Sequence, residues 1–140
     1  MTRLYRVALA GLALIAGIGV MIVAWPVHLP RVTAPMIMAQ EGLGDGPHPV
    51  FGYATLTHPL VRLVVVGRHA PTRAAALPDM RREGRDLRPE PGAALPGKVF
   101  DVSADGLLRL DRYERLGARY RRDLMPLDDG NMAWVYRRLP

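Results

Sequence analysis

The chain of 140 residues carries 19 lysines and arginines against 13 aspartates and glutamates, a formal net charge of +6, and it contains no cysteine. Without cysteine no disulfide framework can form, so the fold must be stabilised by its core. The basic residues alternate with acidic ones from 79 to 123 and form no single-sign stripe with interleaved aromatics, so we expect no nucleic-acid partner.

An apolar stretch near the N-terminus predicts a membrane anchor. Residues 7 to 25 carry no charge, and about 20 apolar residues cross the ~30 Å hydrocarbon layer of a bilayer. Arginines precede the stretch, and the positive-inside rule then places residues 1–6 in the cytoplasm. We expect an uncleaved, single-pass signal anchor at 7–26 in the inner or plasma membrane, with the C-terminal part on the non-cytoplasmic side. Cleavage after the Val-Thr-Ala tripeptide at 32–34 is the alternative.

The residues after the anchor predict a linker followed by one domain. Prolines and glycines recur from residue 26 to 49, a composition typical of linkers, and we assign the linker to 27–48. Met36 and Met38 are interpreted as linker or lipid-facing residues. The remaining residues, 49–140, are enough for a single small core.

The first half of this domain predicts strands and one ambiguous element. Residues 50–56 are aromatic and β-branched enough for a strand. Residues 60–67 fit a buried strand or a helix, and Pro59 at a first helical turn favours the helix. Residues 70–96 contain several prolines and glycines and predict edge strands joined by loops, whereas 98–102 alternate as a half-buried strand does.

The second half predicts the main helix and a hairpin. Ser103 fits an N-cap, and the helix that follows covers 104–117 and ends at a glycine. Asp-Gly at 129–130, between the strand-like runs 120–127 and 132–139, is a strong hairpin signal. Strands before and after one main helix predict an α+β domain with a small, mixed, barrel-like sheet.

One acidic side chain stands on the apolar face of the main helix. Leu107, Leu110 and Glu114 stand at i, i+3 and i+7 and therefore share one stripe, while Asp111 is assigned to a different face. A buried carboxylate must be paired or have a raised pKa. Two interpretations of Glu114 follow, a structural ion pair with a nearby arginine and a general acid/base with a pKa near neutrality.

Five short motifs in a fixed order resemble a known family. They are Tyr-Ala-Thr-Leu at 53–56, Gly-Lys-Val-Phe at 97–100, Leu-Asp-Arg-Tyr-Glu at 110–114, Tyr-Arg-Arg at 120–122 and Ala-Trp-Val-Tyr at 133–136. In this order they resemble the gamma-glutamylcyclotransferase-like (AIG2-like) proteins. The resemblance covers residues 50–137 and implies a compact mixed α/β barrel-like domain with a cavity for a γ-glutamyl group.

The resemblance also implies a reaction and the residues that serve it. In such enzymes the α-amino group of the substrate attacks its own γ-carbonyl, releasing 5-oxoproline and a free amine or amino acid. Glu114 matches the family's general acid/base, and Tyr120 matches a tyrosine near the pocket. The substrate would contact the backbone of one turn, formed by Tyr53, Ala54, Thr55 and Leu56. We expect a small γ-glutamyl substrate, no cofactor and no metal ion.

Position 54 departs from the family pattern, because Ala54 stands where the family has a glycine. Glycine permits a positive φ and the close approach of a ligand, and an added Cβ obstructs both. A different class of function therefore stays open, a non-catalytic, membrane-tethered binding or scaffold module on the same fold. Arg62 and Arg68 are candidates for binding a substrate carboxylate, although surface arginines are the commoner case.

Overall fold

The structure, a computed structural model, describes residues 29–140 as three α-helices, one 3-10 turn and five strands. The elements in chain order are α1 (Ala34–Gln40), β1 (His48–Gly52), the 3-10 turn (Thr55–Thr57), α2 (Pro59–Val66), β2 (Thr72–Glu83), β3 (Asp86–Val102), α3 (Ala104–Glu114), β4 (Tyr120–Pro126) and β5 (Met132–Arg138). The predicted α+β class is confirmed.

The five strands form one mixed sheet in the order β2-β3-β1-β5-β4. In the centre, Val50 of β1 lies opposite Phe100 of the antiparallel strand β3 and opposite Trp134 of the parallel strand β5. Hairpins form both edges, since β2 pairs with β3 and β4 with β5. The predicted Asp-Gly turn joins the second of these hairpins.

Alternation along the central strands gives the sheet two cores. Val50 and Phe100 belong to the core shared with the three helices. Their neighbours Phe51 and Val99 point to the opposite face and pack with Leu77 of the curled β2–β3 hairpin. Because successive side chains of a strand point to opposite faces, the central strands β1, β3 and β5 contribute to both cores.

Contacts between loops and strands bring the two edges of the sheet together. The backbone of Ala76 in β2 donates to the carboxylate of Asp128 and accepts from its N–H, at 2.9 and 3.0 Å. At the other end, the N–H of Arg138 donates to Asp86 at 3.1 Å. These hydrogen bonds connect the first hairpin to the second.

The prediction of loops within residues 70–96 is wrong, because β2 and β3 are two long strands. Two of the three prolines of β3, Pro89 and Pro96, pair with β2 at Met80 and Ala76. On its other side β3 pairs with β1 only over residues 98–102. The prolines therefore lie where that second edge of β3 has no strand beside it, and the missing N–H groups cost no ladder bond there.

Part of the predicted linker is a helix that packs on the domain. Met36 of α1 is 1 % exposed and belongs to the helix-side core, so it is not a linker or lipid-facing side chain. Arg122 donates to the carbonyl of Ala39 at 2.7 Å, and Gln40 donates to Asp111 at 3.0 Å. Residues 34–40 are therefore part of the folded unit.

The main helix begins where predicted but ends before the predicted glycine, and one residue of its buried face was predicted wrongly. The hydroxyl of Ser103 accepts the N–H of Gly106 at 3.2 Å, and the helix ends at Glu114, with Arg115 as a left-handed C-cap. Asp111, which we had assigned to another face, is fully buried beside Leu110. A stripe facing a core spans positions i, i+3, i+4 and i+7, which includes residue 111.

The predicted membrane anchor at 7–26 lies outside the described residues. Within residues 29–140, no helix has the length and apolar character needed to cross a bilayer.

Candidate active site

The site begins at the turn that follows β1. We predicted a strand over residues 50–56, but β1 ends at Gly52 and the chain folds back on itself. A Cβ on Gly52 would lie 2.9 Å from the Cβ of Leu56, and one on Gly97 would lie 2.4 Å from the ring of Phe51. Both positions need glycine because the turn and β3 approach β1 too closely for a side chain.

Two backbone N–H groups of this turn take no part in the hydrogen bonds of the turn. Ala54 has a φ of −129°, so it does not adopt the left-handed conformation that favours glycine. The first bond of the 3-10 turn runs from the N–H of Thr57 to the carbonyl of Ala54 at 3.1 Å. The N–H groups of Thr55 and Leu56 precede that bond, and the turn itself provides no acceptor for them.

Arg62 stabilises the turn through hydrogen bonds to its carbonyl groups. Its Nη1 donates to the carbonyls of Leu56 and Thr57 at 2.9 and 2.8 Å, and its side chain is buried. The guanidinium lies 5.6 Å from the ring centre of Phe100. Arg62 is thus a support of the turn and not a surface residue, whereas Arg68 is exposed and lies outside the cavity wall.

A cavity of about 250 Å³ opens between this turn, the end of α3 and the start of β4. Its wall contains all the predicted site residues: Tyr53, Ala54, Thr55, Leu56, Glu114 and Tyr120. It also contains Arg85, Tyr113 and Arg119, which we had not predicted. Arg85 comes from the tip of the β2–β3 hairpin, and its position depends on long-range curling of the sheet that no local pattern encodes.

Glu114 is the acidic side chain of this wall. Burial raises its pKa from 4.5 to about 7, and the positive charge of Arg85 acts in the opposite direction. Within residues 29–140 its carboxylate accepts no hydrogen bond and forms no ion pair with any arginine. The described structure therefore favours an acid/base group over a structural ion pair.

The tyrosines around Glu114 are hydrogen-bond donors. Tyr53 donates to the carbonyl of Tyr136 at 2.7 Å, and Tyr120 donates to the carbonyl of Arg85 at 3.2 Å. Burial and the nearby charge of Glu114 raise the pKa of both Tyr53 and Tyr120. Both hydroxyls stay protonated near neutral pH, so Glu114 is the better candidate for accepting a proton.

A second carboxylate of α3, that of Asp111, accepts a set of hydrogen bonds that support the site. Arg122 donates to both of its oxygens at 2.9 Å, and Tyr136 donates at 2.6 Å. Burial raises the pKa of Asp111, and the bonds from Tyr136, Arg122 and Gln40 oppose that rise. Because the carbonyl of Tyr136 also holds Tyr53, this network connects α1 and α3 to the turn.

Comparison with protein families identifies the fold. The family model described as gamma-glutamyl cyclotransferase, AIG2-like matches residues 50–140. The chain belongs to this family. Three motifs of this chain, at 53–56, 110–114 and 120–122, contribute residues to the cavity wall.

Two solved structures from Arabidopsis thaliana resemble this family member. The solution structure of At5g39720.1 is 26% identical, covers 72% of this chain and 73% of its own, and has a TM-score of 0.57. That of At3g28950.1 is 24% identical, covers 69% of this chain and 66% of its own, and has a TM-score of 0.56, a likeness of fold alone. No curated protein matches the chain.

Proposed function

We propose that this chain is a gamma-glutamyl cyclotransferase with Glu114 as its general acid/base. The observation that carries the proposal is the Glu114 carboxyl, whose pKa of about 7 suits proton transfer near neutrality, in the wall of a cavity beside the turn. Family membership supports an enzyme of cyclotransferase type.

The proposed reaction needs one proton shuttle and no redox partner. Ionised Glu114 takes a proton from the α-ammonium group of the γ-glutamyl compound. The freed amine attacks the γ-carbonyl carbon and forms the new C–N bond of a five-membered ring. Glu114 returns this proton to the leaving nitrogen and accepts the second proton from the attacking nitrogen, and the original amide C–N bond breaks. Glu114 then passes the second proton to the released amine. The products are 5-oxoproline and the leaving group as an ammonium ion, and Glu114 is ionised again.

The turn is the proposed binding element for the substrate. The N–H groups of Thr55 and Leu56 are suited to a carboxylate or to the oxygen that gains charge during attack, since donors held in place need no reorganisation. Arg62, which is bonded to the carbonyls of the same turn, holds these donors in position. Tyr53 and Tyr120 lie in the same cavity wall as Glu114.

Release of 5-oxoproline tests the proposal directly. We would assay the full chain, purified in a mild detergent, with a panel of γ-glutamyl amino acids and γ-glutamyl amines. Glu114→Gln should reduce turnover about 10²-fold or more, because it removes proton transfer and preserves size. Glu90→Gln, the same change at an exposed position of β3, is the matched control. No release from folded protein would favour the non-catalytic binding module.

We further propose a single-pass anchor at residues 7–26, with the catalytic domain outside the cytoplasm. The uncharged stretch from 7 to 25 and the preceding Arg3 and Arg6 support this orientation. A C-terminal fusion to alkaline phosphatase, which is active only outside the cytoplasm of bacteria, should be active. An inactive fusion that is expressed in full would contradict the orientation.

A further inference from the structure

The segment around the start of α1 and the turn after α3 form one continuous surface, which we call the α1 face. It consists of residues 30–38 and 115–118. A Cβ on Gly117 would lie 2.7 Å from the Cβ of Pro35, so the two stretches pack directly against each other. An open cleft of about 440 Å³ lies between them. The α1 face shares no residue with the wall of the cavity that contains Glu114.

The α1 face exposes a cluster of large apolar side chains. Val32, Ile37 and Met38 are 44, 57 and 67 % exposed, and Met38 is the most exposed of all such side chains in residues 29–140. The same helix places Met36 in the helix-side core, so α1 is apolar on its outer side as well as on its inner side. Single exposed apolar residues are common on proteins, whereas a cluster within seven positions is typical of a contact surface.

The charged side chains of the α1 face have one sign. The face contains Arg31 and Arg115, both exposed, and no aspartate or glutamate. Glu114, which precedes Arg115 in the chain, lines the cavity instead. Apolar side chains bordered by cations are typical of surfaces that bind the interface of a bilayer, where the apolar groups enter the acyl boundary and the cations contact phosphates.

The chain limits the distance between the α1 face and the proposed anchor. Leu29 and Pro30 are held on α3, because Arg112 donates to their carbonyls at 3.3 and 2.7 Å. The proposed anchor ends at residue 26, three residues before Leu29. Since an extended residue spans at most about 3.6 Å, Leu29 lies within ~11 Å of the end of the anchor. The α1 face, which begins at Pro30, is therefore next to the bilayer in an anchored chain.

From these observations, we infer that the α1 face docks on the surface of the bilayer that holds the chain's own anchor. Val32, Ile37 and Met38 enter the boundary between headgroups and acyl chains, and Arg31 and Arg115 contact lipid phosphates. The inference rests on the proposed anchor and goes beyond it, because an anchor alone leaves the orientation of the domain undetermined.

Docking would also determine where the cavity lies. Glu114 is the last residue of α3 and Arg115 follows it directly, so the acid/base group and the α1 face are at the same end of this helix. A docked domain therefore holds its cavity close to the bilayer surface.

The absence of cysteine allows docking to be measured with single spin labels on the full chain. We would attach a nitroxide to Met38→Cys and, as a matched control, to Met132→Cys, and reconstitute both in vesicles of equal parts phosphatidylcholine and phosphatidylglycerol. Met132 is also an exposed methionine. It pairs with Pro126 at the opposite end of β4 from Tyr120, about 20 Å along the strand.

Collision rates with oxygen, which dissolves in lipid, and with a neutral nickel chelate, which stays in water, report the surroundings of each label. We expect the oxygen-to-nickel ratio at Met38→Cys to be at least ~3-fold higher than at Met132→Cys. Adding Arg31→Gln and Arg115→Gln together, or omitting phosphatidylglycerol, should reduce this difference ~2-fold or more. Arg68→Gln, an exposed arginine outside the α1 face, should leave it unchanged.

Two results would overturn the inference. High access of the nickel chelate to both labels would show that the α1 face lies in water. Low access of both reagents to the Met38→Cys label would show that protein covers it, either a second copy of the chain or residues 1–28.

Extraction of the vesicles with alkaline carbonate tests the anchor separately. A chain that stays in the vesicles while its Met38→Cys label lies in water keeps the anchor proposal and loses the docking. If carbonate extracts the chain, the anchor proposal fails, and the same two labels with added vesicles decide the docking. A higher oxygen-to-nickel ratio at Met38→Cys would then support it, and equal ratios would overturn it.

Discussion

Replacing Glu114 by glutamine should make the protein more stable while removing its activity. Within residues 29–140 the Glu114 carboxyl has no hydrogen-bond or ion-pair partner, and burial disfavours its ionised form in the folded state. Glutamine has nearly the same size and carries no charge at any pH. The substitution therefore tests whether the acid/base group costs the fold stability.

The pKa of Glu114 gives the size and the pH range of this effect. Folding raises the pKa from 4.5 to about 7, so between these values the folded protein binds more protons than the unfolded chain. By linkage, the free energy of unfolding falls as pH rises from 4.5 to 7 and then stays level. A shift of this size corresponds to about 3 kcal/mol. The Glu114→Gln variant does not lose this free energy of unfolding, because glutamine does not ionise.

Chemical denaturation of the two proteins at pH 4.5, 6 and 8 measures the effect. The free energy of unfolding of Glu114→Gln minus that of the wild type should increase by about 3 kcal/mol over this range. Glu90→Gln should show no such trend, because Glu90 is exposed. A difference that stays flat to within about 0.5 kcal/mol would show that Glu114 is well solvated or paired, and would refute the argument for its acid/base role.

Three further substitutions test the supports of the site. Asp111→Ala leaves the buried charge of Arg122 without its partner, and denaturation should show a loss of about 3–5 kcal/mol. Arg62→Met should raise KM about 10-fold by loosening the turn, while the pH midpoint of kcat/KM stays near 7. Gly97→Ala places a Cβ 2.4 Å from the Phe51 ring and should cost about 1–3 kcal/mol in denaturation.

Each of these substitutions has an outcome that would contradict its reasoning. Wild-type stability of the Asp111 variant would mean that the buried ion pair contributes no net stability. A shifted pH midpoint in the Arg62 variant would show that Arg62 acts on Glu114 and not on the turn. A fully stable Gly97→Ala would show that β1 and β3 can separate at little cost.

Short sequence patterns predicted those parts of the fold that depend on residues close together in the chain. Ser103 caps the main helix as expected, because a hydroxyl that accepts an N–H at the helix start needs only nearby residues. The Asp-Gly turn likewise fixed the second hairpin. The stripe of Leu107, Leu110 and Glu114 placed a carboxyl in the cavity wall before any tertiary contact was known.

Features that depend on distant contacts were missed. Asp111 was assigned to another face of the helix although it stands at i+4 from Leu107, and nothing nearby in sequence shows that Gln40, Arg122 and Tyr136 converge on it. Met36 was assigned to a linker, since one apolar side chain among prolines and glycines gives no periodic pattern. In both cases the partner residues lie on other elements, so the contacts that surround these side chains follow from topology.

The two carboxylates of α3 differ in the hydrogen-bond donors around them. Burial raises the pKa of both Asp111 and Glu114. Only Asp111 receives compensating donors, from Arg122, Tyr136 and Gln40, and it fixes the helix against the sheet. Glu114, one turn later, receives none among the described residues. The first carboxylate therefore fixes the helix that carries the second, and this position suits the second to the proposed proton transfer.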